Sequence, residues 1–311
     1  MDLQQYLRPD AISRLSEQIG MPPEVTAKIA ALAGRFDFSP LAAPIGLLFD
    51  CATAPEGVRM IQALLGPVDE APLVWLAIWL GAALRTHEHY RLKGIDDTVF
   101  YSTMSCFSRF VREHRESYGV YGFDRSFWTY RQIAMRLFRL GTLEYEMVDY
   151  RGPDIRRVDV TLLTQGTPVL SVHIPSDARL GGANCHESYR QANAFFQKHY
   201  PEFAYPVFYT NTWLLSPSLQ HLLPADSKIL NFQKDFRIIG TDAENDAYRS
   251  WVFKNPSLKP ADYPENTSLQ RQIKAFVLAG GKIGVAAGII GKRLSEFDQV
   301  SRLATDDGQS G

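Results

Sequence analysis

SVHIPSDARLGGANCHESYRQANAFFQKHYPEF, residues 171–203, decides how the chain is read. The run TPVLSVHIP that leads into it, residues 167–175, alternates with the period of a strand. A polar, glycine-bearing loop follows. Tyr189, Ala192, Phe195 and Phe196 then recur at helical spacing, with Arg190, Gln191 and Lys198 left to face water. Asn184 and Glu187 have the spacing of a capping box, so the helix is expected to begin near Cys185. Gly181 and Gly182 let the backbone approach a ligand and turn its amides toward it, and a helix N-terminus beside them makes an anion site. The competing reading is an ordinary α/β turn. The loop has neither the Walker nor the GxGxxG spacing.

Outward from this unit, the two sides of Gly141 differ in period. On the C-terminal side, TLEYEMVDY, RRVDVTLLT and YPVFYTNTWLLS read as strands, helices are expected near 227–235, 244–254 and 267–279, and a last strand near 282–290. On the N-terminal side the period is helical throughout. DAISRLSEQIG ends at Gly20 and PPEVTAKIAALAG at Gly34, and longer helices are expected at about 71–92, 96–118 and 124–140, the last closed by Gly141. The expected domains are therefore a helical one over 1–141, an α/β one over 142–297, and a loosely ordered tail over 298–311.

Composition narrows the function. The 33 Lys and Arg against 34 Asp and Glu leave no basic surplus for a nucleic-acid groove. APLVWLAIWLGAAL, residues 71–84, is shorter than the roughly 20 residues of a membrane span and reads as a buried helix. The N-terminus lacks the basic and apolar regions of a secretory signal, and the cysteines, Cys51, Cys106 and Cys185, form no CxxC pair. A cytosolic protein without membrane or nucleic-acid partners is expected. His87 and His89 point to different helix faces and no HExxH occurs, so no metal site is expected.

In order and spacing, the stretches YRLKGIDDTVFYSTM, FRLGTLEYEM, VHIPS, ESYRQANAFF, NTWLLSPSLQHLLPADSKILNFQKDF and TSLQRQIKAFVLAGG resemble the bacterial acyltransferase-domain proteins that join a helical N-terminal domain to a GNAT-like C-terminal domain. The resemblance spans nearly the whole chain. It implies an α+β fold, an all-helical domain followed by a GNAT-like mixed α/β domain, and acyl transfer from acetyl-CoA or another acyl-CoA to an amine or similar small-molecule acceptor. In that fold the loop after the strand takes the coenzyme A pyrophosphate, which assigns Ser176, Arg179, Gly181, Gly182 and Asn184 to coenzyme binding. SDARLGGANCHES departs from the usual Q/R-x-x-G-x-G/A loop, so the alternative is a GNAT-fold protein that binds acyl-CoA or another small ligand as a sensor or scaffold, without turnover.

Direct attack of an amine on a thioester needs a base, an oxyanion donor and an acid for the leaving thiolate. Strand period puts Val169, Ser171 and His173 on one face, with His173 at the strand end beside the loop; it is the candidate base or, structurally, an anchor for that loop. Tyr205, Val207, Tyr209, Asn211 and Trp213 are expected to share a face of the partner strand. Tyr209 or Tyr248 is the candidate acid and Asn211 orients the acceptor, against the alternative that all three are packing residues.

Overall fold

A computed structural model of the chain describes residues 5–66, 71–158 and 161–291. The tail expected over 298–311 lies outside the described residues. The chain divides into two compact units, Met1–Arg139 and Leu140–Gly311.

The first unit is helical: α1 Pro9–Gln18, α2 Pro23–Arg35, α3 Ala42–Gly46, α4 Ala54–Leu65, α5 Ala71–Leu92, α6 Asp97–Tyr118 and α7 Ser126–Ile133. Its axis is α5, which packs against α1, α2, α6 and α7. Val74, Leu76, Ile78, Trp79 and Leu80 of α5 are all buried, as a helix apolar on every side must be. Each of these large side chains contributes roughly 1.5–3 kcal/mol by leaving water. Asp96 caps α6 by accepting from the Thr98 amide at 2.7 Å. The helix expected over 124–140 is only α7. Met135 leaves helical geometry at φ 53°, and LFRL continues as the strand β1 Leu137–Leu140. Its apolar residues were spaced ambiguously between the two periods, and the hairpin with TLEYEMV settles them as a strand.

The second unit, with β1 running across the division, contains β2 Leu143–Asp149, β3 Ile155–Val158, β4 Thr161–Leu163, β5 Pro168–His173, α8 Gly182–His199, β6 Val207–Thr212, α9 Lys228–Gln233, β7 Arg237–Asp242, α10 Tyr248–Val252, α11 Ser268–Leu278 and β8 Val285–Gly291. The main sheet has the order β1-β2-β5-β6-β8-β7, and β3 and β4 form a small sheet of their own. RRVDVTLLT is thus two short antiparallel strands where one was expected. Strand β7 was not anticipated, because RIIGTD is largely exposed and lacks a clean alternation. Only the β5–β6 contact is parallel among the described strand pairings of this sheet.

One face of the sheet packs on α8. Tyr189 lies 5.6 Å from Phe208 between ring centroids, and Tyr145 lies 5.8 Å from the same ring. Tyr205 joins this side, contrary to the expected alternation: it precedes Pro206 and the strand, and its hydroxyl reaches Asn193 of α8. The β1–β2 turn docks on the same helix. Gly141, at φ +69°, comes so close that a Cβ there would sit 3.2 Å from the Ser188 backbone. Ser188 Oγ donates to the Leu140 carbonyl, accepts the Leu143 amide at 3.2 Å and accepts the Tyr145 hydroxyl at 2.8 Å. This tie fixes α8 against the sheet and so positions its N-terminus.

Candidate active site

The register of the sheet gathers polar side chains on the face away from α8. Glu144 stands opposite His173, Glu146 opposite Ser171, and Ser171 opposite Tyr209. Because facing residues in adjacent strands share a side, Glu144, Glu146, Ser171, His173, Tyr209 and Asn211 belong to one surface. Lower on that surface lies an apolar cluster of Tyr150, Leu163, Val169, Val207 and Ile289. Tyr209 bridges the two zones, its ring edge-to-face with Tyr150 at 5.5 Å.

His173 Nε2 is 2.8 Å from Glu146 Oε2, with side-chain exposures of 23% and 13%. Glu144 is almost fully buried. Burial raises the Tyr209 hydroxyl above its ordinary value, with the Tyr150 hydroxyl as a second cause, so it stays protonated at neutral pH and able to donate. Glu144 and Glu146 were missed at the level of sequence. The signal that would have found them is the alternation of TLEYEMV once paired in register with VLSVH, since Leu143, Tyr145 and Met147 take the opposite side.

The two parallel strands pair at only two positions, Leu170 with Phe208 and Ser171 with Tyr209. Strand β5 nevertheless runs on to His173 and β6 to Thr212, each bonded to its outer neighbour, β2 or β8. Beyond Ser171 and Tyr209 no further backbone pair joins the inner edges, leaving a wedge of unshared strand edge between their C-terminal ends. Carboxyl ends of parallel strands are where open α/β sheets bind ligands.

The loop between β5 and α8 is held by a turn of its own and by one bond to the β1–β2 turn. The Ala178 amide donates to the Pro175 carbonyl at 2.9 Å, and the Arg179 amide donates to Thr142 Oγ1 at 2.6 Å. Helix α8 begins at Gly182, not Cys185, and its N-cap is Gly181, without a side-chain cap. The expected capping box of Asn184 and Glu187 is not formed: Glu187 instead binds Gln191 at 2.9 Å and Arg190 at 2.5 Å. The Asn184 and Cys185 amides both turn back to the Gly181 carbonyl, which leaves the Gly182 and Ala183 amides at the open end of the helix. Ser176, Arg179, Gly182 and Asn184 are exposed along this segment. A Cβ built on Gly182 would meet nothing within 4 Å.

Other candidates fall elsewhere. Tyr248 belongs to a different core cluster, with Leu219, Val252, Phe253, Tyr263, Ile273 and Ile283. Cys185 is buried, and burial foremost, then the nearby Asp235 carboxylate, pushes its thiol up to about 12, so it is no nucleophile near neutrality. His186 and Tyr189 each reach Asp235 at 3.2 Å and tie α8 to the segment after α9. Among the described residues, no group of three or more His, Cys, Asp or Glu could hold a metal ion, and no helix is long and apolar enough to cross a membrane.

The family model of the N-acyltransferase N-terminal domain matches residues 10–135, and that of the GNAT-like C-terminal domain matches residues 137–290. The chain belongs to this N-acyltransferase family. No curated protein sequence matches it. Among solved structures, it is similar to an acyltransferase in complex with decanoyl-CoA and teicoplanin, at a TM-score of 0.75 and 22% identity, covering 91% of this chain and 88% of that one. An acyltransferase in complex with CoA and 10C-teicoplanin gives the same figures, TM-score 0.75, 22% identity, 91% and 88% coverage. At that identity the likeness speaks for the fold, which in this member joins a helical unit to a GNAT-like sheet. The wedge, the polar face and the uncapped helix all lie within the GNAT-like match.

Proposed function

We propose that the chain is an acyltransferase that moves an acyl group from acyl-CoA to an amine of a small-molecule acceptor. The observation that carries this reading is the wedge between β5 and β6, opening beside the uncapped N-terminus of α8. An extended thioester arm can lie between the two strands against their unshared edges. Its pyrophosphate then reaches the Gly182 and Ala183 amides that follow Gly181, with the side chains of Asn184, Arg179 and Ser176 on the same exposed segment. The similar acyltransferases hold decanoyl-CoA, octanoyl-CoA or CoA, one complex pairing decanoyl-CoA with teicoplanin and another CoA with 10C-teicoplanin, which favours a thioester donor and a small-molecule acceptor here. Dependence on acyl-CoA suits a cytosolic setting.

In this scheme the acceptor nitrogen attacks the thioester carbonyl carbon, the C–N bond forms and the C–S bond breaks. His173 takes the proton that the nitrogen loses, and Tyr209, kept protonated by burial, gives one to the leaving thiolate. Asn211, on the same face one strand step from Tyr209, orients the acceptor. Tyr248 receives no chemical role, since it packs in another cluster.

The test is a panel of acyl-CoA thioesters assayed first for thermal stabilisation and then for free-thiol release with candidate amines. Stabilisation with amine-dependent thiol release is expected. Stabilisation without release for any amine would make the protein a binder, and no stabilisation would remove the coenzyme site.

A further inference from the structure

We propose that Glu146 is a positioning residue for the reaction: it accepts the Nε2 proton of His173 and so fixes the imidazole tautomer in which Nδ1 carries the lone pair. The inference rests on the reading of His173 as the base. It starts from the 2.8 Å contact between Nε2 and Oε2, which is diagonal across the β2–β5 pair, since Glu146 faces Ser171 and Glu144 faces His173. Diagonal neighbours are within reach of long side chains, so the ring leans along the sheet to meet Glu146.

Three further observations separate this pair from an incidental surface contact. Both side chains are mostly covered, at 23% and 13% exposure, where a carboxylate is costly unless a donor satisfies it. The sheet does not need the pair for its own cohesion, because β2 and β5 already pair continuously from Asp149–Pro168 to Glu144–His173. The contact also sits where the chemistry needs it, next to Ser171 and Tyr209, the last pair before the wedge opens. In the neutral ring one nitrogen donates and the other accepts, and a carboxylate can only accept. Glu146 therefore selects Nε2–H, and the proton taken from the acceptor goes to Nδ1. The imidazolium formed as the C–N bond closes is stabilised by the Glu146 charge at the moment it appears, so its effect falls on turnover more than on donor binding.

The experiment uses the full-length protein in four forms: the parent, His173→Gln, Glu146→Leu and Glu146→Asp. Protein labelled with ¹⁵N-histidine reads the tautomer directly, with the His173 signals assigned by their absence from His173→Gln. The parent should show the Nε2–H tautomer. Glu146→Leu should lose that preference and lower kcat by roughly 10- to 100-fold, with acyl-CoA affinity unchanged, while Glu146→Asp recovers part of the rate. An unchanged tautomer and kcat in a folded Glu146→Leu would overturn the proposal, as would a fall in melting temperature with kcat unchanged. If Glu146→Leu does not fold, Glu146→Met, which likewise offers the ring no oxygen acceptor, takes its place and is judged by the same two readouts. Full turnover by His173→Gln would instead defeat the assignment of the base, a failure distinct from that of Glu146 because the tautomer spectrum is read without substrate.

Discussion

Replacing Gly182 by Val tests the coenzyme site with little disturbance of the free protein. Gly182 is the first residue of α8, and a Cβ built there meets nothing within 4 Å. Helix propensity favours Val over Gly by a few tenths of a kcal/mol, so the unliganded variant should melt at or slightly above the parent. The branched side chain would stand where a pyrophosphate approaches the Gly182 and Ala183 amides. At a coenzyme concentration about 100 times its Kd, linkage stabilises the parent by about 2.7 kcal/mol. If the substitution weakens binding about 100-fold, the same concentration stabilises the variant by only about 0.4 kcal/mol. At about 2–4 °C per kcal/mol for a domain of this size, the thermal shift should fall from roughly 5–10 °C to about 1 °C. Differential scanning fluorimetry with and without CoA measures both numbers in one plate. An undiminished CoA shift in Gly182→Val would refute the placement of the pyrophosphate at this helix.

Further outcomes follow from other parts of the domain. Ser188→Ala strips a partner from the Leu140 carbonyl, the Leu143 amide and the Tyr145 hydroxyl, all in a buried spot, and should cost about 3 kcal/mol or more in urea unfolding; a loss under about 0.5 kcal/mol would show that the turn is held otherwise. Tyr209→Phe keeps the ring against Tyr150 but removes the acid, so thiol release should slow by roughly 100-fold at unchanged acyl-CoA affinity, and an unaltered rate would return Tyr209 to the packing residues. Burial raises the hydroxyls of Tyr145, Tyr189 and Tyr205 above 10.0, so the folded state holds protons that the unfolded state releases; their contribution is full below pH 10.0 and lost above it, and Tyr145→Phe should flatten that alkaline decline in equilibrium unfolding.

What could be read from sequence was set by how much each segment's neighbours decide. Helix α5 needs no partner to be recognised, because an apolar stretch such as APLVWLAIWLGAAL must be buried whichever helix covers it. The same holds for α8, whose Tyr189, Ala192 and Phe196 are all buried. LFRL was misread because four residues fit either period, and only its pairing partner selects one. The helix start failed for a different reason. Asn184 and Glu187 satisfy a capping pattern, yet Gly181 and Gly182 allow the chain to enter the helix three residues earlier, which removes Asn184 from the cap position. An authentic capping box does occur, between Thr267 and Gln270 at the start of α11.

The polar face was only half visible for a reason specific to sheets. His173 and Tyr209 could be placed from the alternation within their own strands, whereas Glu146 becomes part of the site only through the β2–β5 register, a long-range quantity that no local pattern carries. The wedge is invisible in sequence for the same reason, since it consists of backbone pairs that stop forming after Ser171 and Tyr209. The departure of SDARLGG from the usual coenzyme loop weighs less once the geometry is known. Backbone amides at the open end of α8, not a particular side-chain spacing, present the donors, and the Arg179 amide bonded to Thr142 holds the loop that leads to them. A loop that binds through its backbone can vary in sequence while its ends stay fixed. Here one end is fixed by the strand that carries His173 and the other by the Ser188 tie that seats α8 on the sheet.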